Sequence, residues 1–148
     1  MTLFRIFLGV LLFLLHSMGF SQSLESNSIE NIANITIDVN HILNNKGKVI
    51  FTIFDSKQNF DAKIPLQKLI GDIKELTSTV TFKNLPFGNY AIICFHDINE
   101  NDLLDFDGFF PVEDYGVSNN IGKFGPPQFE AAMFHLNELN LNIEISFY

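Results

Sequence analysis

Alternating apolar and polar positions run through both ends of this chain. Near the start, Ile35, Ile37 and Val39 alternate with polar residues, and residues 139–147 alternate strictly near the end. A period of two places successive side chains on opposite faces of a strand, so each stretch predicts a strand with one buried face. Residues 89–96 form the most apolar stretch and predict a central strand.

Shorter apolar stretches separated by turn residues fill the rest of the pattern. Residues 48–55 and 78–85 predict strands, residues 129–137 predict a strand ending at Leu136, and residues 56–77 predict a loop with one short helix or strand. The turn 44–47 predicts a hairpin between the first two strands. About seven short strands predict an all-β fold, an antiparallel β-sandwich of immunoglobulin-like or transthyretin-like type.

A long polar segment follows the central strand and runs to about residue 128. It is rich in Gly and Pro and shows no clear periodicity. Loops of this length in a compact domain are usually functional or held in place by contacts of their own.

The first residues have the three-part pattern of a secretory signal peptide. Arg5 gives a positive start, residues 6–15 are almost entirely apolar, and small residues precede Gln22. We therefore expect a leader at 1–21, a flexible lead-in at 22–33 and a single sandwich domain at 34–148. The alternative, a membrane anchor, is disfavoured because the apolar run is shorter than the roughly 20 residues that span a bilayer. The mature chain is expected to have no membrane span and to be exported to the periplasm or the exterior.

The acidic composition of the chain disfavours some classes of binding partner. The 148-residue chain has a formal net charge of −8, and loss of Arg5 makes the mature chain more acidic. Nucleic acid is an unfavourable partner because its phosphates are repelled. The single cysteine, Cys94, excludes an internal disulfide, so the exported domain relies on its core or on a metal for stability.

The candidate chemistry lies directly after the central strand. Oxygen-bearing side chains occur at Asp97, Asn99 and Asn101, and again at Asp105. Ca²⁺ takes about six to eight oxygen ligands, and short Asp and Asn side chains are typical donors. We call residues 97–105 the acidic loop, and its spacing predicts a Ca²⁺ site in which Leu103 adds a backbone carbonyl. The alternative is a solvated acidic turn whose side chains cap their own backbone.

The acidic loop is not an EF-hand. The twelfth position would be Gly108 rather than a bidentate Glu, and a strand precedes the loop where an EF-hand has a helix. The missing carboxylate has three candidates in the following segment: Asp107, Glu113 and Asp114.

Four motifs in order resemble a known family. They are L-P-F-G-N-Y-A at 85–91, H-D-I-N at 96–99, and the segments 115–120 and 124–130. Over about residues 34–147 the chain resembles the exported bacterial proteins of domain-of-unknown-function family 2141. The resemblance implies a leader, a β-sandwich and a D-x-N-x-N-G loop, with no enzymatic activity assigned. The turn at 85–90 is also similar to that of transthyretin-like modules, over a short stretch.

One position departs from the family pattern. Asp102 stands where the family usually has Gly, which allows a sharp turn with positive φ. Asp tolerates left-handed φ better than most residues, so the loop is still expected to close.

Other reactive residues have simpler interpretations. His96 is expected to order the loop by a hydrogen bond, with transition-metal binding, alone or with His135, as the alternative. Cys94 is expected to be a core residue, because its acidic and apolar surroundings disfavour the thiolate. Ser118 lacks the second Gly of a nucleophile elbow.

A second candidate site is aromatic. Two prolines in the long segment set an extended backbone between aromatic residues, and together they predict a surface for a glycan or a peptide. The alternative is that the aromatics pin the segment to the sandwich. The residues of this candidate surface are Tyr115, Phe124, Pro126, Pro127 and Phe129.

The sequence thus predicts an exported, non-catalytic module of unidentified partner, with a Ca²⁺ site that orders a surface loop. One alternative is an enzyme acting on an extracellular polymer with His96, Asp97 and Glu113 as acid and base groups. Another is a structural envelope protein without a ligand.

Overall fold

The computed structural model describes residues 31–121 and 126–148 of the protein. Its long strands are β1 (Ile32–Asn40), β2 (Lys48–Phe54), β3 (Gln67–Gly71), β4 (Ser78–Pro86), β5 (Gly88–Asp97) and β10 (Asn140–Ser146). The short strands are β6 (Phe106–Asp107), β7 (Phe110–Pro111), β8 (Tyr115–Val117) and β9 (Phe134–Leu136). Two short α-helices, α1 (Lys57–Asp61) and α2 (Phe129–Ala132), and a 3₁₀ turn at Ser118–Asn120 complete these elements.

The first sheet has the strand order β10-β1-β4. Its central strand β1 alternates as the sequence predicts, with Ile35, Ile37 and Val39 buried and the residues between them half-buried. β1 pairs antiparallel with β4 and parallel with β10, where Ile37 lies opposite Ile143. The antiparallel sandwich therefore contains one parallel pair, which is possible because the chain runs through the whole second sheet before it returns as β10.

The second sheet has the order β3-β2-β5-β8, and β9 pairs with the first residues of β5. β5 is its central strand, as predicted, and is buried on both faces. Tyr90, Ile92 and Cys94 face the core between the sheets, while Ala91 belongs to a second apolar cluster on the outer face. This double burial explains why residues 89–96 are nearly all apolar rather than alternating.

The two cores lie on opposite sides of the second sheet. The larger one fills the space between the sheets and includes Phe51 and Phe82, both fully buried. The smaller one contains edge-to-face ring contacts from Phe60 to Phe54 and to Phe129, with centroids 5.1 and 5.8 Å apart. The all-β sandwich predicted from the sequence is confirmed, and the two α-helices supply Phe60 and Phe129 to cover its outer face.

Two local predictions were wrong. The turn 44–47 does not form a hairpin, because β1 and β2 belong to different sheets and the turn carries the chain across the core. Residues 129–137 contain the predicted strand only at their end, as β9, because Phe129–Ala132 forms the helix α2. Residues 56–77 contain the short helix α1 and the strand β3, in which Leu69 packs against the core and Ile70 is exposed.

The long segment after β5 is held by contacts of its own. The buried Ser118 hydroxyl accepts a hydrogen bond from the Ile92 N–H at 2.9 Å and donates to the Ala132 carbonyl at 2.7 Å. Ser118 therefore ties the 3₁₀ turn to β5 and to α2. These two hydrogen bonds hold the middle of the segment against the second sheet.

β8 and β10 approach closely where the two sheets meet at one edge. A Cβ added at Gly116 would lie 2.5 Å from Ile145 Cγ2 and 2.7 Å from the Ser146 carbonyl oxygen. Only a glycine fits between these strands without displacing backbone.

We expect Gly116→Ala to lower the free energy of unfolding by about 1–3 kcal/mol, because the added methyl overpacks this edge. Gly88→Ala is the matched control, since its added Cβ has no neighbour closer than 3.7 Å. Urea denaturation of both variants measures the difference. Equal stability of the two variants would contradict the close approach of β8 and β10.

Candidate functional site

The acidic loop is organised by a carboxylate buried at the end of β5. Asp97 has 0% of its surface exposed. Its Oδ1 accepts the N–H of Asn101 at 3.0 Å, and its Oδ2 accepts the N–H of Asp102 at 2.9 Å. Hydrogen bonds to an ionised acceptor are stronger than neutral ones, so Asp97 holds the turn of the loop around itself.

The side chains predicted as ligands lie together around this turn. Asn99 Oδ1 also accepts the Asn101 N–H, at 3.1 Å. The amide groups of Asn99 and Asn101 both donate to the Asp105 carboxylate, at 2.6 and 3.1 Å. The Leu103 side chain is 65% exposed, and its N–H donates to Asn101 Oδ1 at 2.8 Å. Asp97, Asn99, Asn101 and Asp105 thus form one hydrogen-bonded group.

Glu113 closes the loop. It is only 7% exposed, and its two carboxylate oxygens accept the N–H groups of Ile98 at 3.0 Å and Asp105 at 3.2 Å. It therefore bridges the two ends of the acidic loop. Of the three candidates for a further carboxylate, the structure brings Glu113 to the loop, while Asp107 lies on the exposed strand β6. The Asp114 backbone carbonyl accepts the N–H of His96 at 2.8 Å.

Lys48 is a member of the site that sequence reasoning missed. Its Nζ lies 2.7 Å from Asp102 Oδ1 and 3.5 Å from Asp97 Oδ2. The hydrogen bond from Lys48 lowers the pKa of Asp102 below its ordinary value, and the same hydrogen bond raises the pKa of Lys48. The register of β2 on β5 places Lys48 opposite Asp97, and no local pattern reveals that pairing.

Asp102 adopts the turn conformation for which a glycine was expected at this position. Its φ is +66°, the left-handed conformation that Gly normally supplies. Its side chain then reaches Lys48 on the neighbouring strand. Asp102 therefore keeps the turn and adds an ion pair to β2.

The donor set suits a hard cation. Among the described residues, no three His, Cys, Asp or Glu side chains gather as a metal site does, so the candidate depends on the two amides together with the carboxylates. Asn99 and Asn101 present their amide nitrogens to Asp105 and use their amide oxygens to accept backbone N–H groups, so coordination by these oxygens would replace hydrogen bonds of the loop. Carboxylate and amide oxygens on a short loop are the ligands that Ca²⁺ takes.

His96 and Cys94 have structural environments. Both are fully buried on the inner face of β5. The His96 Nε2 donates to the Lys46 carbonyl at 2.7 Å, so it braces the turn between β1 and β2, and its Nδ1 has no hydrogen-bond partner. Burial raises the pKa of the Cys94 thiol, which keeps it protonated. His135 is exposed and lies beside Asn89 at the other end of β5, roughly 20 Å away by strand length.

The aromatic candidate surface is only partly assembled. Phe129 is buried in the smaller core, so its ring anchors α2 and does not contribute to an exposed surface. Tyr115 is half-buried and makes an edge-to-face contact with Tyr148. Pro126 is exposed and Pro127 is half-buried. Phe124 lies outside the described residues, as do the predicted leader and residues 22–30 of the lead-in.

No helix in the ranges 31–121 and 126–148 is long and apolar enough to cross a membrane.

Replacing Glu113 with Gln tests the closure of the acidic loop. The Gln amide nitrogen cannot accept a hydrogen bond, so one backbone N–H of the loop loses its partner. We expect the free energy of unfolding to fall by about 1–3 kcal/mol. Glu138→Gln, at an exposed position, is the control and is expected to change stability by less than about 0.5 kcal/mol. A Glu113→Gln protein as stable as this control in urea denaturation would show that the bridge is dispensable.

The pair of Lys48 and Asp102 predicts a pH dependence. Because the folded pKa of Asp102 is lowered, the pair stabilises the fold above the ordinary carboxyl pKa and loses this effect as the pH falls through the lowered value. Lys48→Met should return the Asp102 pKa towards its ordinary value, while Lys57→Met, whose partner is Asp61, should leave it unchanged. A carbon-13 NMR titration of the Asp102 carboxyl measures both, and identical curves in all three proteins would refute the pairing.

Comparison with known proteins identifies the family. The family model described as "Uncharacterized protein conserved in bacteria (DUF2141)" matches residues 37–144, most of the sandwich and all of the acidic loop. No curated protein and no solved structure matches the chain. The match confirms the resemblance seen in the sequence: the chain belongs to the bacterial domain-of-unknown-function family 2141.

Proposed function

We propose that this protein is an exported, non-catalytic β-sandwich module whose acidic loop binds Ca²⁺ and thereby orders the surface segment 97–115. One observation carries the proposal. The side chains of Asn99 and Asn101 bond to Asp105, the Asp97 carboxylate accepts the backbone N–H groups of the same turn, and Glu113 closes the loop.

The charge balance of the loop favours a divalent cation. Asp97, Asp102, Asp105 and Glu113 place four carboxylates on the acidic loop and the segment that closes it, and Lys48 contacts two of them. A bound divalent ion would offset the remaining repulsion and replace the amide hydrogen bonds to Asp105 with coordination. The expected affinity is weak, on the order of 10⁻⁴ to 10⁻³ M, as in extracellular calcium modules.

A non-catalytic role agrees with the environment of the alternative acid and base groups. His96 and Asp97 are fully buried, and Glu113 is nearly so. The partners of both carboxylates include backbone N–H groups of the loop itself. These contacts serve the architecture of the loop. Export is supported by the leader pattern in the sequence, and a glycan or a protein remains the proposed class of partner.

Calcium is expected to raise the melting temperature. At about 1 mM Ca²⁺, which is roughly one to ten times the expected dissociation constant, an ion that binds only the folded loop stabilises the fold by about 0.4–1.4 kcal/mol. Differential scanning calorimetry with millimolar Ca²⁺ and then with a chelator measures this shift.

Two variants sharpen this measurement. Asp105→Asn removes a carboxylate that lies only partly exposed in the loop and should abolish the calcium shift. Asp72→Asn, at an exposed position outside the loop, should retain it. A midpoint that does not respond to calcium in the unaltered protein would refute the proposal and leave an envelope protein without a ligand as the better interpretation.

A further inference from the structure

The two lateral sides of the sandwich end differently. On one side, the Tyr115 carbonyl oxygen accepts the N–H of Tyr148 at 2.9 Å, which joins β8 to the end of the chain. Asn120 bonds to β10 on the same side, where it accepts the N–H of Ser146 at 2.7 Å and donates to the Glu144 carbonyl at 3.3 Å. On the other side, β3 and β4 are the outer strands of their sheets. An outer strand exposes a row of backbone donors and acceptors that can pair with another chain.

Of these two outer strands, β4 carries features that disfavour such pairing. Its register on β1 shifts once, Asn84 adopts a φ of +58°, and Lys83 and Pro86 are exposed. Bulges, lysines and prolines keep edge strands from adding a neighbour. β3 has a regular register over all five of its residues and contains no proline, and its Ile70 is 55% exposed. β3 is therefore the edge that a further strand fits.

The hydrogen bonds of the second sheet determine which backbone groups of β3 face outward. The N–H of His96 bonds to the Asp114 carbonyl, on the β8 side of β5, and the N–H of Ile92 also bonds on that side. In an antiparallel sheet, the backbone groups of successive residues point to opposite sides of the strand. Followed through the register of β5 on β2 and of β2 on β3, this alternation directs the N–H and carbonyl groups of Lys68 and Ile70 to the open edge.

The exposed side chains of this edge are complementary to themselves. Lys68, Ile70 and Asp72, the last of which directly follows β3, alternate along the chain and are all exposed. When β3 pairs antiparallel with a second β3 about a twofold axis at Ile70, this isoleucine lies opposite its own copy. Lys68 then lies opposite Asp72 of the second chain. Opposite charges on facing residues stabilise a strand pair, whereas like charges destabilise it.

Moving the twofold axis along the strand removes this match. An axis at Lys68 places two lysines opposite each other. An axis at Leu69 places Ile70 opposite Lys68. An axis at Gly71 places Ile70 opposite Asp72. Of these four registers, the axis at Ile70 is the one that pairs both the apolar side chains and the opposite charges.

We propose that β3 pairs with β3 of a second copy of this chain and forms a twofold-symmetric dimer. The second sheet would then continue through both copies, in the order β8-β5-β2-β3-β3-β2-β5-β8. The same patch serves on both chains, as in most closed dimers. Because β3 has five residues, the interface is small, and we expect a weak dimer whose population depends on concentration. The inference goes beyond the proposed function and does not depend on the acidic loop.

Sedimentation equilibrium tests the dimer. The protein, purified after export, is measured between about 1 µM and about 1 mM. We expect the mean mass to rise across this range from that of one chain towards that of two. Ile70→Pro removes an N–H that faces the open edge and leaves the hydrogen bonds of β3 to β2 in place, so this variant should stay monomeric.

Exchange of charges tests the register. K68D and D72K each place like charges opposite each other and should weaken dimerisation about tenfold. The double variant K68D/D72K restores opposite charges and should dimerise as the unaltered protein does. Lys83→Asp, at an exposed position on β4, changes the net charge as K68D does and should leave dimerisation unchanged.

The outcomes distinguish this dimer from other arrangements. The mass of one chain at every concentration overturns the proposal. A dimer that Ile70→Pro leaves intact overturns it as well, because the interface then lies elsewhere. If Ile70→Pro does not fold, the charge variants decide: a dimer that K68D and D72K leave unchanged, or that K68D/D72K fails to restore, overturns the pairing of Lys68 with Asp72.

Discussion

The buried carboxylate of Asp97 is the constraint on which the candidate site depends. A charge removed from water is stable only when other groups replace its hydration. Here two backbone N–H groups of the acidic loop and the ammonium of Lys48 do so. The loop therefore has little freedom to fold elsewhere, because any other path would leave Asp97 without these partners. Asp97 is both the first residue of the candidate site and the last residue of β5, so the sheet determines where the loop begins.

The position of Asp97 at the end of β5 explains why the site lies at one end of the sandwich. β5 is buried on both faces and pairs with β2, β8 and β9, so it is the most constrained strand of the second sheet. The turn between β1 and β2 lies against its end, where Lys46 accepts a hydrogen bond from His96. A Cβ added at Gly47 would lie 2.1 Å from the Asp97 carbonyl oxygen. The packed turn and the paired strand hold Asp97 in place before the loop contributes any contact.

The region beyond the acidic loop combines anchored and exposed elements. Glu113 and Ser118 tie it back to β5 through buried hydrogen bonds, while the ribbon formed by β6 and β7 at 106–112 extends away with its phenylalanines in solvent. Hydrogen bonds therefore fix residues 113 and 118, while the apolar side chains of residues 106–112 lie largely exposed.

Local patterns in the sequence determined the elements and the candidate ligands. These features are short-range, and they can be read from the sequence because strand and loop preferences act over a few residues. They are the alternation in β1 and β10, the apolar stretch of β5 and the spacing of Asp97, Asn99, Asn101 and Asp105. Only the tertiary structure decided which elements meet. Four features each join segments that are remote in sequence or belong to different layers. They are the ion pair of Lys48 with Asp102, the hydrogen bonds of Glu113 to the loop, the crossing of turn 44–47 between the sheets and the burial of Phe129. Those contacts depend on how two sheets close around a shared core, and a period of two specifies which face of a strand is buried but not which strand lies beside it.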